Sequence, residues 1–251
     1  MARALNSILL AMVEKRGFHF ISKRALGDKE APLKKLLMYD KFGTAYNLDA
    51  VITNESMQPL ILIESKYIRY KKHNRDKGSW ICTAHPALRR RYDSIRSSIA
   101  VLAGNWSSSS VAMMKSHDIN IFLIPFGKIC ELLAERGMNF DWDEKDRETA
   151  VAAWGVYSKL TAAQRAYIGA EMVKLIENDL STLVLSILDD TIPREISRVV
   201  VELHSNLGEV KEYEFADVAK AVAFLNAAEL HNVFIVSDSL TLFDPPPSFD
   251  E

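Results

Sequence analysis

The stretch YNLDAVITNESMQPLILIESKYI, from Tyr46 to Ile68, decides the fold of this chain. It is predicted to form two strands joined by the polar turn NESMQP, with Asp49 inside the first strand and Glu64-Ser65-Lys66 closing the second. Because side chains alternate along a strand, Glu64 and Lys66 point to one face and Ser65 points to the other. If the strands pair antiparallel, Asp49 lies close to Glu64. Two carboxylates and an ammonium group would then meet at the end of an apolar sheet.

The length and composition of the chain are those of an ordinary globular protein. Its 251 residues are enough to bury a sizeable core, and they are 48% apolar and 25% charged. The apolar run within residues 1–15 is short, lacks a small-residue cleavage site and has the spacing of an amphipathic helix. No other run approaches the roughly 18 apolar residues of a membrane span. The two cysteines, Cys82 and Cys130, are too few for a disulfide framework and lack zinc-ligand spacing. We therefore expect a cytoplasmic location and no membrane contact.

The net charge of -2 hides a division along the chain. Residues 1–139 contain 22 Lys and Arg against 12 Asp and Glu, whereas residues 140–251 contain 9 against 21. A chain divided in this way is predicted to present a basic surface to a polyanion and to use its acidic half for another purpose.

The elements around the opening stretch form a mixed α/β pattern. A helix over residues 3–16 ends at Gly17. Residues 18–35 have no clear pattern: residues 18–22 are compatible with a short strand, and a loop with a helical turn at Pro32 follows. Residues 36–42 fit a strand and a helix equally well. After the two central strands, the prediction is a loop over 69–80, a helix from Pro86 to Gly104, a polar connector at 105–110, a strand buried on both faces over 119–126 and a helix over 128–136.

Residues 140–251 have a different pattern. An acidic run at 141–147 matches the first turn of a helix, and helical spacing continues over 150–159, 162–179 and 181–189. A hairpin that turns at 206–208, a helix over 216–228, a strand over 232–237 and a frayed tail follow. The predicted fold class is α/β: a central mixed sheet flanked by helices over residues 1–139, then a C-terminal α+β region over residues 140–251. We expect the second region to serve dimerisation or recognition.

Asp49 in one strand, followed by Glu64-x-Lys66 at the end of the next, resembles the active-site pattern of the PD-(D/E)xK nuclease superfamily. That superfamily includes type II restriction enzymes and related repair and recombination nucleases. The order of elements is similar over roughly residues 1–137. The resemblance implies a restriction-endonuclease-like fold, hydrolysis of phosphodiester bonds in duplex DNA, and a homodimer that brings one active site to each strand. Leu48 stands where many members have proline, and Asn6 and Glu14 lie on the helix where many members carry a metal-linked glutamate.

The tripeptide Glu-x-Lys is by itself a common pattern, since chance supplies roughly one in a chain of this length. Glu209-Val210-Lys211 is a second copy, and Asp143-Glu144-Lys145 satisfies the looser form. Only Glu64-Ser65-Lys66 follows four apolar residues and has a carboxylate in the preceding strand. The alternative interpretation of this tripeptide is a solvent-facing ion pair between strands.

The predicted geometry assigns a role to each residue of the pattern. Asp49, Glu64 and the main-chain carbonyl of Ser65 would give Mg²⁺ a set of oxygen ligands, with Mn²⁺ as a substitute. The ion would lower the pKa of a bound water and neutralise charge that develops on phosphorus. Lys66 would orient the attacking water; the cation lowers the pKa of Lys66 and the carboxylates raise it, and the sequence leaves that balance open. Alanine at position 64 or 66 is expected to abolish cleavage and leave folding intact, since neither side chain is expected to belong to the packed core.

Residues 66–96 form a basic stretch, in which ten Lys and Arg stand against Asp76 and Asp93. Aromatic residues are interleaved with these cations, as in surfaces that contact a phosphate backbone. The alternative is a solvated basic surface. The three consecutive arginines 89–91 span less than one helical turn, so at least one is expected to be structural. The candidate contacts with nucleic acid are Arg69, Lys71, Lys72, Arg75, Lys77, Arg89, Arg90 and Tyr92.

Other motifs carry less weight. His73 and His85 flank the basic loop and would reach phosphate from there, although an exposed loop histidine more often has no catalytic role. The serines at 107–110 lack a GxSxG context, and no P-loop or GxGxxG occurs, so no nucleotide cofactor is expected. The leading hypothesis is a Mg²⁺-dependent endonuclease acting on double-stranded DNA. The alternatives are a nucleic-acid-binding protein that has the fold without the chemistry, and a nuclease acting on RNA.

Overall fold

The computed structural model describes residues 1–22, 35–227, 230–235, 241 and 244–245. The predicted loop and helical turn around Pro32 lie outside these residues. The chain forms two compact units, Met1–Asp189 and Asp190–Ser248. The fold class is mixed α/β, with a five-stranded mixed sheet and flanking helices in the first unit and a hairpin with a helix in the second.

The first unit alternates helices and strands. In chain order, its described elements are α1 (Ala2–Glu14), β1 (His19–Ser22), β2 (Leu36–Tyr39), β3 (Ala45–Leu48), β4 (Ala50–Thr53), β5 (Pro59–Ile68), α2 (Asn74–Arg89), β6 (Ser97–Gly104), α3 (Ser108–Lys115), β7 (Ile119–Pro125), α4 (Phe126–Ala134), α5 (Arg147–Lys159) and α6 (Ala162–Leu188). A short 3-10 turn, Lys71–His73, leads into α2. The predictions of α1, β1, β5 and α4 are confirmed, and residues 36–39 form a strand.

The main sheet has the order β1-β4-β5-β6-β7. Its β1–β4 and β4–β5 pairs are antiparallel, and its β5–β6 and β6–β7 pairs are parallel. Strands β2 and β3 form a separate two-stranded antiparallel sheet. The sheet is therefore mixed, and β5 lies at its centre, where the antiparallel part meets the parallel part.

Helices cover both faces of the main sheet. On one face, Ile63 of β5 and Val101 of β6 belong to the same apolar cluster as Leu9 of α1 and Leu180 of α6. The residues of the opposite face pack against α2 and α3, where Leu102 of β6 joins a cluster that includes helix residues such as Ile81 and Met114. Because side chains alternate along β5, Glu64 and Lys66 share the face that α2 covers, and Ser65 belongs to the other.

The prediction of one helix from Pro86 to Gly104 is wrong. Pro86 lies inside α2, which ends at Arg89, and residues 97–104 form β6. All eight residues of β6 are buried, so its sequence is a continuous run of small and apolar residues without the alternation of a half-exposed strand. Such a run matches helical spacing as easily as strand spacing.

The prediction of a loop over residues 69–80 is also wrong, because α2 begins at Asn74. Its buried stripe is carried by Gly78, Ile81, His85 and Leu88, at helical spacing. A Cβ at Gly78 would lie 2.9 Å from the side chain of Met113, so the glycine allows α3 to pack close to α2. A stripe that contains glycine and histidine is hard to recognise as apolar.

Three smaller predictions also change. The strand predicted over residues 46–53 is divided at Asp49 into β3 and β4. Strand β7 is an edge strand with exposed residues such as Leu123, so the strand buried on both faces is β6 instead. The predicted connector at 105–110 contains the start of α3, where Ser107 caps the helix by accepting a hydrogen bond from the Ser110 N–H.

The first unit continues past residue 139, the predicted end of the core. Helix α6 is one helix of 27 residues where the sequence suggested two segments. Its buried side chains, among them Val173 and Leu180, belong to the same apolar cluster as α1 and the sheet. The first unit consequently ends at Asp189.

The second unit contains β8 (Val199–His204), β9 (Val210–Phe215) and α7 (Val218–Ala227). The strands form the predicted antiparallel hairpin, with Val199 opposite Phe215. The strand predicted over 232–237 is absent from its described part, since residues 230–232 form a 3-10 turn and residues 233–235 are turn and bend. Within the described residues, no helix has both the length and the apolar character needed to cross a membrane.

Candidate active site

The candidate site lies where the β4–β5 ladder ends. The last regular pair before the site is Ala50 with Ile63. One residue earlier, the Asp49 N–H donates to Oε1 of Glu64 at 3.1 Å, and the Ser65 N–H donates to Oδ2 of Asp49 at 3.0 Å. Side-chain oxygens thus accept the backbone hydrogen bonds that a longer ladder would have made. This arrangement draws both carboxylates toward the same point of β5.

Lys66 completes the cluster. Its Nζ donates to Oδ2 of Asp49 at 3.0 Å and to Oε2 of Glu64. The structure therefore brings together the three side chains that strand periodicity and antiparallel pairing predicted to meet. The ammonium group of Lys66 bridges the two carboxylates.

The three groups differ in their access to solvent. The side chain of Glu64 is 0% exposed, whereas those of Asp49 and Lys66 are 30% and 23% exposed. Asp49 and Lys66 are therefore the members of the cluster that solvent reaches. The expectation that Glu64 lies outside the packed core is wrong, because Glu64 is enclosed between the sheet and the helix layer.

Burial and mutual charge set the protonation of the cluster. Burial raises the pKa of Glu64 to about 8, against the opposing charge of Lys66. Burial would also raise the pKa of Asp49, but the hydrogen bond with Glu64, the charge of Lys66 and the Ser65 N–H outweigh it and bring the pKa to about 2. Burial lowers the pKa of Lys66, yet the charges of Glu64 and Asp49 prevail and raise it. The two carboxylates thus keep Lys66 protonated in spite of its burial.

Helix α2 adds a residue that the sequence reasoning missed. The ring of Trp80 lies 5.2 Å from the Nζ of Lys66, measured to the ring centroid, and meets the ring of Tyr46 edge-on at 6.5 Å. An ammonium group over an indole ring is held by the negative face of that ring. The predicted loop over residues 69–80 includes Trp80. The helical spacing of Gly78, Ile81 and Leu88 is the signal that places Trp80 on a helix instead.

His85 is a second such residue on α2. It is fully buried, and neither of its ring nitrogens has a hydrogen-bond partner in the structure. Burial, followed by the charges of Lys66 and Arg89, lowers the pKa of His85 to about 3, so the ring is neutral. Its position inside the helix layer differs from the exposed loop position predicted for it. The side chain of His73 lies outside the described part of the structure.

Arg69, one of the predicted contacts with nucleic acid, is engaged within the protein. Its guanidinium donates to the carbonyl of Phe140 at 2.9 Å. It also lies over the ring of Trp142, 3.6 Å from the centroid, and near the rings of Phe140 and Phe126. These contacts give Arg69 a structural role at the end of β5.

Other predicted contacts divide into paired and exposed residues. Lys72 forms an ion pair with Glu144, and Lys77 donates to the carbonyl of Tyr67 at 2.8 Å. The remaining predicted contacts lie along α2 or just beside it: Lys71, Arg75 and Arg90 are exposed, while Arg89 and Tyr92 are half-buried. Arg91 is the structural arginine expected in the triplet, because its Nη1 donates to the Asp40 carbonyl at 2.5 Å.

The donor set of the cluster suits a small divalent cation. Among the described residues, no group of three or more His, Cys, Asp or Glu side chains is placed to hold a metal. The candidate ligands are instead two carboxylates and the carbonyl of Ser65, which in an extended strand faces the same edge as the N–H that donates to Asp49. The carboxylates already bind a positive group, the Lys66 ammonium, so the residues fit Mg²⁺ with water filling the other positions.

The first helix contributes differently from the superfamily pattern. Asn6 of α1 donates to the hydroxyl of Ser22 on β1 at 3.3 Å. Glu14, the last residue of α1, is exposed. The buried residues of α1 face the sheet side opposite Lys66.

The other copies of the tripeptide lie in different environments. Glu209-Val210-Lys211 occupies the exposed start of β9. In Asp143-Glu144-Lys145, the Asp143 side chain accepts from the Lys145 N–H within a turn, and Glu144 pairs with Lys72. Of the three copies, only Glu64-Ser65-Lys66 lies in the main sheet.

Comparison with protein-family models found no family that matches this chain. Comparison with curated proteins found no match either. Among solved structures, one match is described as "Crystal Structure of Protein of Unknown Function AF1548". It has 10% sequence identity and a TM-score of 0.33, and it covers 71% of this chain and 100% of the other.

Proposed function

We propose that this protein is a Mg²⁺-dependent endonuclease that hydrolyses phosphodiester bonds of duplex DNA, and that it belongs to the PD-(D/E)xK nuclease superfamily. The observation that carries the proposal is the convergence of Asp49, Glu64 and Lys66 at the point where the β4–β5 ladder ends. The chemistry of acidic oxygens beside an ammonium group supports hydrolysis of a phosphate ester, in which negative charge develops at the reacting phosphorus.

Asp49, Glu64 and the Ser65 carbonyl would hold the ion. Bound Mg²⁺ supplies a water of lowered pKa and offsets charge on the phosphate. The 30% exposure of Asp49 leaves one side of the site open to a backbone phosphate. Lys66 holds its position through Asp49 and the ring of Trp80, so its ammonium can orient the attacking water. The buried Glu64 excludes bulk water from the inner side of the site.

The exposed cations of α2 supply the substrate surface. Lys71, Arg75 and Arg90 are exposed on or beside the helix whose Trp80 covers Lys66. Cations that contact phosphates bind DNA without regard to sequence and position it. We therefore assign duplex binding to this helix.

The test is nicking of supercoiled plasmid DNA in Mg²⁺, with Mn²⁺ in a parallel reaction. We expect the wild type to nick or linearise the plasmid, and EDTA to stop the reaction. Glu64→Gln, which keeps the volume of the buried side chain, and Lys66→Ala should each lower the rate at least about 100-fold, as for loss of a group that stabilises the transition state. Glu209→Gln, in the second Glu-x-Lys, is the matched control and should leave the rate unchanged.

The same assay separates the alternatives. Duplex binding without cleavage in either metal would identify a nucleic-acid-binding protein. If Glu209→Gln lowered the rate as much as Glu64→Gln, the result would contradict a specific role for Glu64 in the reaction. A parallel reaction on structured RNA distinguishes a ribonuclease, since a DNA enzyme should leave that substrate intact.

We further propose a homodimer, because two strands of a duplex need two active sites related by two-fold symmetry. Analytical ultracentrifugation of the protein with and without a duplex oligonucleotide measures this directly. A mass of two chains is expected on the duplex. A single chain on each duplex, together with nicks that never become double-strand breaks, would contradict the dimer.

A further inference from the structure

An apolar cavity of about 480 Å³ lies in the first unit, on the sheet face opposite Lys66. Tyr67 of β5 and Ala103 of β6 line it from the sheet, and the strand alternation that turns Lys66 toward α2 turns Tyr67 away from it. Helices α4, α5 and α6 contribute most of the remaining lining. The volume falls in the range of pockets that enclose small organic ligands. This cavity is therefore separate from the candidate active site.

Two pairs of aromatic rings form part of the lining. Trp154 and Tyr157 of α5 form a pair with ring centroids 5.7 Å apart and planes inclined by 31°. Phe140 and Trp142 form a second pair with ring centroids 5.3 Å apart, and the guanidinium of Arg69 lies 4.5 Å and 3.6 Å from these two centroids. The side chain of Trp154 is 66% exposed, although tryptophan is usually largely covered in a folded protein. Rings of this kind offer stacking surfaces to a planar ligand.

The charged side chain that lines the cavity is positive. Among the residues that the structure describes, Arg165 is the charged side chain that lines the cavity, and none of the lining residues carries a carboxylate. This is unexpected in a region where acidic residues outnumber basic ones, 21 to 9 over residues 140–251. Arg165 is held in place, because its Nη2 donates to the Ser158 carbonyl at 3.1 Å and its guanidinium lies 4.9 Å from the ring centroid of Tyr157. A fixed cation beside stacked rings is complementary to an anionic aromatic molecule.

We propose that this cavity binds a planar aromatic molecule that carries one acidic group, with the ring against Trp154 and Tyr157 and the acid on Arg165. The acidic group is a phosphate, as in a mononucleotide, or a carboxylate, as in an indole acid. The proposal is independent of the nuclease activity, since it rests on the other face of the sheet.

The test is isothermal titration calorimetry of the full chain with four probes. Adenosine 5′-monophosphate and indole-3-acetate represent the two acids, and adenosine and indole are their neutral counterparts. At least one acid should bind at one site per chain, roughly tenfold or more tighter than its neutral counterpart, as expected for a charge-assisted hydrogen bond. The acid that binds more tightly than its neutral counterpart shows whether the site takes a phosphate or a carboxylate. Failure of both acids to bind saturably up to about 10 mM, a limit far above the affinities of specific sites, would overturn the proposal.

Two variants and one control locate the binding. Arg165→Gln should reduce the affinity for the acid to that for the neutral probe. Arg136→Gln is the matched control, because Arg136 lies over Tyr167 at the same 4.9 Å but does not line the cavity. Ala153→Phe, which fills the cavity from α5, should abolish binding of all four probes. Unchanged acid binding in Arg165→Gln, or equal losses in Arg165→Gln and Arg136→Gln, would contradict the proposal even if Ala153→Phe does not fold.

Discussion

Asp49 connects the other residues of the cluster through hydrogen bonds. Its carboxylate accepts the Ser65 N–H at the end of the ladder, and the same oxygen accepts a hydrogen bond from Lys66. Its own N–H fixes one oxygen of Glu64. Because each residue of the cluster orients another, single substitutions here will not have additive effects.

A prediction at the residue scale concerns His85. The pKa of His85 is about 3 in the folded protein, well below the ordinary value of 6.5. Below pH 6.5, therefore, His85 becomes protonated in the unfolded chain and stays neutral in the folded chain. Stability should therefore fall as the pH falls from 6.5, by about 1.4 kcal/mol per unit, or about 2 kcal/mol at pH 5. His85→Leu should lack this component and be at least as stable as the wild type at pH 7, since it removes two buried nitrogens without partners.

Urea unfolding of the wild type and His85→Leu at pH 5, 6 and 7 measures the effect. His117→Leu, at an exposed turn position, is the control and should follow the wild type. A constant difference between the wild type and His85→Leu across this range would show that His85 does not resist protonation in the fold.

The cluster of Asp49, Glu64 and Lys66 could be predicted because it depends on strand alternation and pairing, which are local properties. The burial of Glu64 and the contact of Trp80 with Lys66 could not, because both depend on α2, whose first residues, 74–80, are predicted to form a loop. The internal contacts of Arg69 likewise depend on Phe140 and Trp142, about seventy residues further along the chain.

At the scale of elements, α2 joins the candidate active site to the predicted substrate surface. One side of the helix buries Ile81, His85 and Leu88 against the sheet. Its exposed side carries cations. A helix with this division can hold Trp80 against Lys66 and contact a polyanion at the same time.

The double variant Lys71→Glu, Arg75→Glu tests this division. Duplex affinity should fall to a similar extent for all sequences, and the slope of log K against log salt concentration should become shallower by about 2, because two phosphate contacts are lost. Fluorescence anisotropy with a labelled duplex at several salt concentrations, in EDTA, measures both quantities.

A matched double variant, Lys159→Glu, Lys174→Glu, reverses two exposed charges on α5 and α6, in the layer on the other side of the sheet. It should change affinity much less. If both double variants weaken binding equally, the overall charge of the protein determines affinity and α2 is not the contact surface.

Elements were predictable where one face is exposed and the other is buried, as in α1 and the β8–β9 hairpin. The prediction failed for β6 because a strand covered on both faces has no alternation to detect. It failed for the start of α2 because Gly78 and His85 replace ordinary apolar residues on the buried stripe. In both cases the pattern depended on packing partners distant in sequence.

At the scale of the whole molecule, the extent of the folding unit can be tested by truncation. A chain of residues 1–189 retains the apolar clusters of the first unit, so it should unfold cooperatively, with a Tm within a few degrees of that transition in the full chain. A chain of residues 1–139 lacks α6, whose buried apolar side chains are Ile168, Val173, Ile176, Leu180, Val184 and Leu188.

At about 1.5–3 kcal/mol for each buried side chain, the loss of these six from α6 amounts to roughly 9–18 kcal/mol. This is comparable to the total stability of a typical domain, so the chain of residues 1–139 should not fold. Circular dichroism during heating measures both truncations. A cooperative transition in the chain of residues 1–139 would contradict this prediction and would show that these residues fold on their own.

The chain passes from one sheet to another at Asp49: β3 pairs with β2, and β4 pairs with the main sheet. Asp49 is therefore the junction of two sheets. The hairpin is anchored at both ends, because the Asp40 carbonyl at its turn accepts a hydrogen bond from Arg91 and Leu48 beside the junction is fully buried. A substitution that loosened the hairpin would consequently also displace the oxygen that both Ser65 and Lys66 contact.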